Sequence, residues 1–117
     1  MDKYVFVKTS HNWADEFDMG GCFVAIDSEF GAIMDKIQVA FEKGFITEDD
    51  EFHFGTNEGL SFYDWEDFRS GVRVQECSKP FYDEFRIMCP YGVGYDVIDN
   101  ILDAIANSET DLDESQR

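Results

Sequence analysis

Basic residues are scarce in this chain: nine Lys and Arg stand against 26 Asp and Glu in 117 residues, for a formal net charge of −17. The nine are scattered, and most have acids close by in sequence. Direct binding to DNA or RNA, which needs clustered cations to neutralise phosphates, is therefore not expected. An anionic surface is also repelled by anionic lipid. No run approaches the ~18–20 apolar residues that span a bilayer, and no apolar stretch after a basic start reads as a signal peptide. Three cysteines (Cys22, Cys77, Cys89) are an odd number without a CxxC pair. That argues against a disulfide scaffold or a zinc site and fits a reducing cytoplasm. Only two histidines are present, His11 and His53. Their polar and aromatic neighbours in sequence imply no Cys–His nucleophile pair, so an enzyme is not expected.

What the chain does have is apolar mass. At 44% hydrophobic and 16% aromatic, with 12 Phe, it has the material for a real core despite its charge. The length fits one domain. The acidity is not confined to an end. The last nine residues, Glu109 to Arg117, hold four acids and one Arg, which leaves −14 on residues 1–108. We expect a single α+β domain over 1–108 and an acidic flexible tail over 109–117. A body so charged repels itself, and a cationic partner surface is the simplest compensation.

Along the chain, Tyr4-Val5-Phe6-Val7 reads as a first strand and Cys22 to Ile26 as a second, with 11–21 a polar connection between them. Asp27 or Ser28 is placed to cap the helix that follows. Its stripe is Phe30, Ile33, Met34, Ile37 and Phe41, with Glu29 in the first turn, Lys43 in the last and Gly44 just past the end. Phe52 and Phe54, then Thr56 to Gly59, then Leu60 and Phe62 predict a hairpin. Tyr63 to Arg69 reads as a short helical turn. Val72 to Cys77 and Tyr82 to Met88 read as a further strand pair around Ser78-Lys79-Pro80. Pro90, Gly92 and Gly94 break the chain before a second helix with the stripe Val97, Ile98, Ile101, Leu102 and Ile105. The expected architecture is an antiparallel sheet of about five or six strands with two amphipathic helices packed on one face.

The acids fall in sets. Asp96, Asp99 and Asp103 share one face of the last helix, spaced roughly 4.5 and 6 Å along its axis at ~1.5 Å per residue. Each strand of duplex DNA carries a charge every ~3.4 Å, a comparable scale. Further sets are Asp15, Glu16 and Asp18; Glu48, Asp49, Asp50 and Glu51; Asp64, Glu66 and Asp67; and Asp83 and Glu84. Four of these sets interleave with aromatics: Trp13 and Phe17; Phe52; Tyr63, Trp65 and Phe68; Tyr82 and Phe85. Most of the Phe residues are expected in the core. Carboxylates on the wet side of a helix are also ordinary.

Other chemistries find less in the chain. Glu48 to Glu51 offers oxygen ligands, but consecutive side chains diverge and the spaced EF-hand loop is absent, so no metal site and no cofactor is expected. Tyr91 to Asp96 has two of the glycines of a phosphate-cradling loop, yet Asp96 sits where an anion would, which leaves a helix start.

In composition and charge layout over its whole length, the chain resembles the class of small acidic DNA-mimic proteins. No family motif carries the likeness, and members of that class often share no fold. The resemblance implies an inhibitor or modulator whose partner is a basic nucleic-acid-binding protein: a histone-like nucleoid protein, a restriction enzyme, a CRISPR effector or similar. On that reading the partner-binding residues are Asp15, Glu16, Asp18, Glu48, Asp49, Asp50, Asp64, Glu66, Asp67, Asp96, Asp99 and Asp103, on a monomer or small homo-oligomer. Alternatives are an immunity or antitoxin protein covering a basic active site, a metal-binding regulatory domain, or acidity that serves solubility in a salty cytoplasm.

Overall fold

The computed structural model describes the backbone of residues 3–13, 17–53, 59–94 and 97–115, and the side chains of these apart from 12–13, 17–19, 53 and 108–115. Two ten-residue strands, β1 (Tyr4–Trp13) and β2 (Phe17–Ile26), form a long antiparallel hairpin in register from Tyr4 opposite Ile26 to Trp13 opposite Phe17. The polar connection expected over 11–21 is therefore mostly strand. Pairing continues past Val7 because Thr9 and His11 follow Val5 and Val7 onto the same face and are buried with them. Thr9 is satisfied in place. Its Oγ1 accepts from the Gly21 N–H at 3.0 Å and donates to the Gly21 carbonyl at 3.3 Å, so burying the hydroxyl leaves no orphan.

Helix α1 (Asp27–Glu42) leaves β2 directly, with Ile26 as its N-cap and no side-chain cap. Neither Asp27 nor Ser28 caps it. The Asp27 N–H instead donates to the Lys3 carbonyl at 2.8 Å, which ties the helix start to the first strand. At the other end Lys43 is the C-cap and not part of the last turn, but Gly44 is as the sequence indicates: it has φ +80°, and the Phe45 N–H reaches back to the Ala40 carbonyl at 2.9 Å, an αL cap that favours glycine.

Short strands β3 (Phe52–His53) and β4 (Gly59–Leu60) pair antiparallel, Phe52 opposite Leu60. They realise the expected hairpin, with Gly59 of the expected turn already in β4, while Phe54 and Thr56 to Glu58 lie outside the described residues. Next come α2 (Trp65–Ser70), where a helical turn was expected, and β5 (Val72–Cys77), as expected. The following segment differs. Instead of a strand over Tyr82 to Met88 there is a helix, α3 (Lys79–Met88). Ser78 is its N-cap, its hydroxyl accepting from the Phe81 N–H at 3.2 Å, and Pro80 lies in the first turn. Ser-Lys-Pro is thus a helix start, where proline's missing N–H costs nothing. Last are β6 (Val93–Gly94), which pairs with Gly21 and Cys22 of β2, and α4 (Val97–Ser115). Residues 109–115, expected as tail, continue the α4 backbone.

The architecture is α+β: an antiparallel sheet of order β5-β1-β2-β6, a separate β3–β4 ladder and four helices. The sheet is one or two strands smaller than expected, and helices cover both of its faces. Val5 and Val7 look toward α1, α2, α4 and β3–β4. There they join Phe30, Ile37, Phe52, Leu60, Phe62, Phe68, Val97, Ile101 and Ile105 in one core. Tyr4 and Phe6 look the other way, toward α3: Tyr4 meets Tyr82 at 4.7 Å between ring centroids, and Phe6 meets Phe81 and Phe85 at 5.9 and 6.0 Å. The aromatics that suggested a strand are this helix's contact with the sheet. Among the described residues no helix is long and apolar enough to cross a membrane.

Candidate functional site

The described carboxylates are unevenly placed about the sheet. The helical layer over Val5 and Val7 carries exposed Asp27, Glu29, Asp35 and Glu42 on α1, Glu48 to Glu51 before β3, Asp64, Glu66 and Asp67 around α2, and Asp99 and Asp103 on α4. Its basic residues are Lys36, Lys43 and Arg69. The opposite face differs: besides Asp83 and Glu84 on α3 it shows Lys79 and Arg86, and on the open part of the sheet Lys8 of β1 lies directly across from Arg73 of β5. The helical layer thus carries most of the described carboxylates, while the bases are divided between the two sides; Asp99 lies at the margin, lining one cavity with Arg86 of α3.

Of the residues singled out by sequence, Glu48, Asp49, Asp50, Asp64, Glu66, Asp67, Asp99 and Asp103 are exposed and belong to the helical layer, on three separate elements. Asp15, Glu16 and Asp96 lie outside the described residues, as does the side chain of Asp18 on β2. Three of the exposed carboxylates also hold local structure. Asp64 caps α2, one oxygen accepting from the Asp67 N–H at 2.9 Å, and Asp67 returns the favour by accepting from the Tyr63 N–H at 3.1 Å. That reciprocal arrangement is close to a capping box. Asp50 accepts from the Thr47 N–H at 2.7 Å and closes the turn before β3. The α1 acids Asp27, Glu29, Asp35 and Glu42 were not singled out, although the signal was present: they lie off the apolar stripe of the clearest helix.

The aromatics expected beside the acids are mostly not at the surface. Phe52, Phe68 and Tyr82 are buried, Trp65 and Phe85 are half-buried, and among the described residues of this set Tyr63 is the one well exposed, at 79%; the side chains of Trp13 and Phe17 lie outside the described residues. Exposed apolar side chains occur elsewhere, at Ile87, Met88 and Tyr91 near the end of α3.

Two described groups on the sheet have shifted pKa values. Burial, and secondarily Glu76, push the Cys77 thiol pKa up, the reverse of what a reactive thiolate needs. His11 is enclosed by Phe62 and Phe68 at 4.9 and 5.8 Å between ring centroids. Burial pushes its pKa down, and the Asp67 carboxylate opposes that more weakly. Among the described residues no three His, Cys, Asp or Glu side chains gather to hold a metal ion. Chemically, the acidic side offers a layer of carboxylates suited to meeting cations. No family profile, curated protein or solved structure matches the chain.

Proposed function

We propose that this chain is an acidic interaction protein of the cytoplasm that mimics DNA and blocks or modulates a basic nucleic-acid-binding protein, with no chemistry of its own. The observation that carries the reading is the concentration of exposed carboxylates on α1, α2, α4 and the 47–51 turn, in a chain of net charge −17. Helices hold backbone geometry fixed, so their carboxylates form a spaced, pre-organised array, as phosphates do on a duplex. Such a field steers a cationic partner and makes association fast and salt-sensitive. The residues proposed to meet the partner are Glu48, Asp49, Asp50, Asp64, Glu66, Asp67, Asp99 and Asp103, with Asp15, Glu16, Asp18 and Asp96 completing the set chosen from sequence.

The test is affinity capture from a lysate at low salt, followed by elution with duplex DNA. A nucleoid, restriction or CRISPR protein released by DNA supports the reading, because the bait then occupies a nucleic-acid site. A captured protein released by salt but not by DNA overturns the mimic and leaves an inhibitor of some other basic surface, such as a toxin's active site. Neutralising Asp99 and Asp103 together (Asp99→Asn, Asp103→Asn) should weaken binding by up to about fivefold per charge and flatten its salt dependence, since exposed pairs contribute ~0.2–1 kcal/mol each.

A further inference from the structure

We propose that the free edge of β5, with the groove beside it, takes up an extended segment of a basic partner by strand addition. The inference rests on the function proposed above for the sign of the partner's charge; the mode of binding is additional.

Strand β5 ends the sheet order, and among the described residues no strand pairs with its outer side. Its free groups follow from the ladder. The Ser10 N–H donates to the Gly71 carbonyl at 2.8 Å, so Ser10 and Gly71 form a hydrogen-bonded pair. In an antiparallel ladder such pairs alternate. Arg73, Gln75 and Cys77 therefore turn their backbone groups toward β1, and Val72, Val74 and Glu76 turn theirs outward. Those three residues also share a side-chain face, because their partners Thr9, Val7 and Val5 all point to the helical side. The edge thus offers alternating donors and acceptors, the arrangement that strand addition uses.

On that same side lies a groove of about 570 Å³ between β5, α1 and α2. Phe30, Met34, Trp65 and Val74 give it apolar walls, Asp27 and Asp35 supply carboxylates, and Arg69 is its one base. It runs along the strand. Asp27 lies at the Cys77 end, since Ile26 and Cys77 both pair with Tyr4. Trp65 and Arg69 lie at the Val72 end, just before it in the chain.

This geometry specifies the occupant. Every second side chain of an added strand would enter the groove, where a Lys or Arg lays its aliphatic stem on Met34, Trp65 and Val74 and carries its charge to Asp27 or Asp35. The intervening side chains would face Arg73, with Lys8 behind it, and must be neutral. A second copy of this chain does not fit. Its own β5 would bring Val72, Val74 and Glu76 to the groove side, with no cation among them, and would join two bodies of charge −17.

Two nine-residue peptides of equal composition test this: one alternating Lys and Thr, the other with its Lys and Thr in separate blocks. Titration calorimetry with the intact protein should give roughly tenfold tighter binding for the alternating peptide, a gap of about 1.4 kcal/mol. That peptide should also slow amide exchange at Val72, Val74 and Glu76. Val74→Pro should abolish the preference, since the Val74 N–H points away from β1 and proline is tolerated at such an edge position. Asp27→Asn with Asp35→Asn, which leaves the backbone alone, should weaken the alternating peptide more than the block one. Equal, salt-sensitive binding of both peptides would overturn strand addition while leaving the anionic reading intact. Binding of neither would overturn both. Protection of β5 amides that grows with protein concentration, without peptide, would assign the edge to a second copy and refute the proposal.

Discussion

The imidazole of His11 lies nearly parallel to the ring of Phe68, 5.8 Å away at an interplanar angle of 18°, and joins the second half of β1 to the short helix α2. Phe62 closes the pocket edge-on, and Gly71 lies against the imidazole where a Cβ would overlap its Cε1 and Nδ1 atoms. The Nε2 atom is buried without a hydrogen-bond partner among the described residues. A neutral ring is tolerable there; a charged one is not.

The pH dependence follows from that burial. With the His11 pKa depressed below its ordinary 6.5, the unfolded chain takes up this proton before the folded one does. The stability owed to the neutral ring is fully present above pH 6.5 and is lost as the pH falls through the lower folded-state value. Unfolding free energy measured by urea from pH 7.5 to 5 should therefore decline in the native chain. His11→Leu removes the titrating group, and its decline over that interval should be shallower. Equal slopes would refute the assignment.

Gly71 should resist substitution for the same reason. Gly71→Ala places a methyl group against the His11 ring and the Ser10 carbonyl. Overpacking of a filled site costs about 1–3 kcal/mol, and Phe68→Ala, which empties the other side of the ring, about 3–5 kcal/mol. Because both changes act on one pocket, the double variant should fall short of the sum, and a double-mutant cycle reads that coupling directly.

How much of this was legible depends on which residues made the signal. Helix α1 was plain because Phe30, Ile33, Met34, Ile37 and Phe41 repeat at helical spacing with nothing to contradict them. The second half of β1 was not, because Thr9, Ser10, His11 and Asn12 look like loop residues in isolation. They become strand through partners six to twelve residues away, from Asp18 for Asn12 to Gly21 for Thr9. Helix α3 was missed because Ser-Lys-Pro also suits a turn and because Phe81, Ile87 and Met88 stay exposed, which blurs the stripe. The acid sets could be seen, but not the gathering of the described ones on α1, α2, α4 and the 47–51 turn into one helical layer, with Asp83 and Glu84 left on the other face. That depends on α1, α2 and α4 all packing against the Val5–Val7 face, a tertiary fact.

The helix start at Ser78 gives a local check on the corrected segment. If α3 depends on its N-cap, Ser78→Ala should cost ~1 kcal/mol, within the usual 0.5–2 for such a cap, and Ser78→Gly only a few tenths. A strand over Tyr82 to Met88 would instead leave both substitutions near neutral. Thermal unfolding of the two variants against the native chain separates these outcomes.

The acidic layer itself should respond to salt before any partner is present. Carboxylates crowded onto α1, α2, α4 and the 47–51 turn repel one another through solvent, and that repulsion is relieved as the screening length shortens from ~10 Å at 0.1 M to ~3 Å at 1 M. The melting temperature should therefore climb with NaCl. About 1 kcal/mol of relief corresponds to roughly 4 °C in a domain of this size. MgCl2 or CaCl2 at matched ionic strength should do no more than NaCl, because screening is indifferent to coordination. A sharp rise at stoichiometric divalent ion would instead mean that the carboxylates form a specific metal site, and the layer would then have to be read as a cation-binding surface.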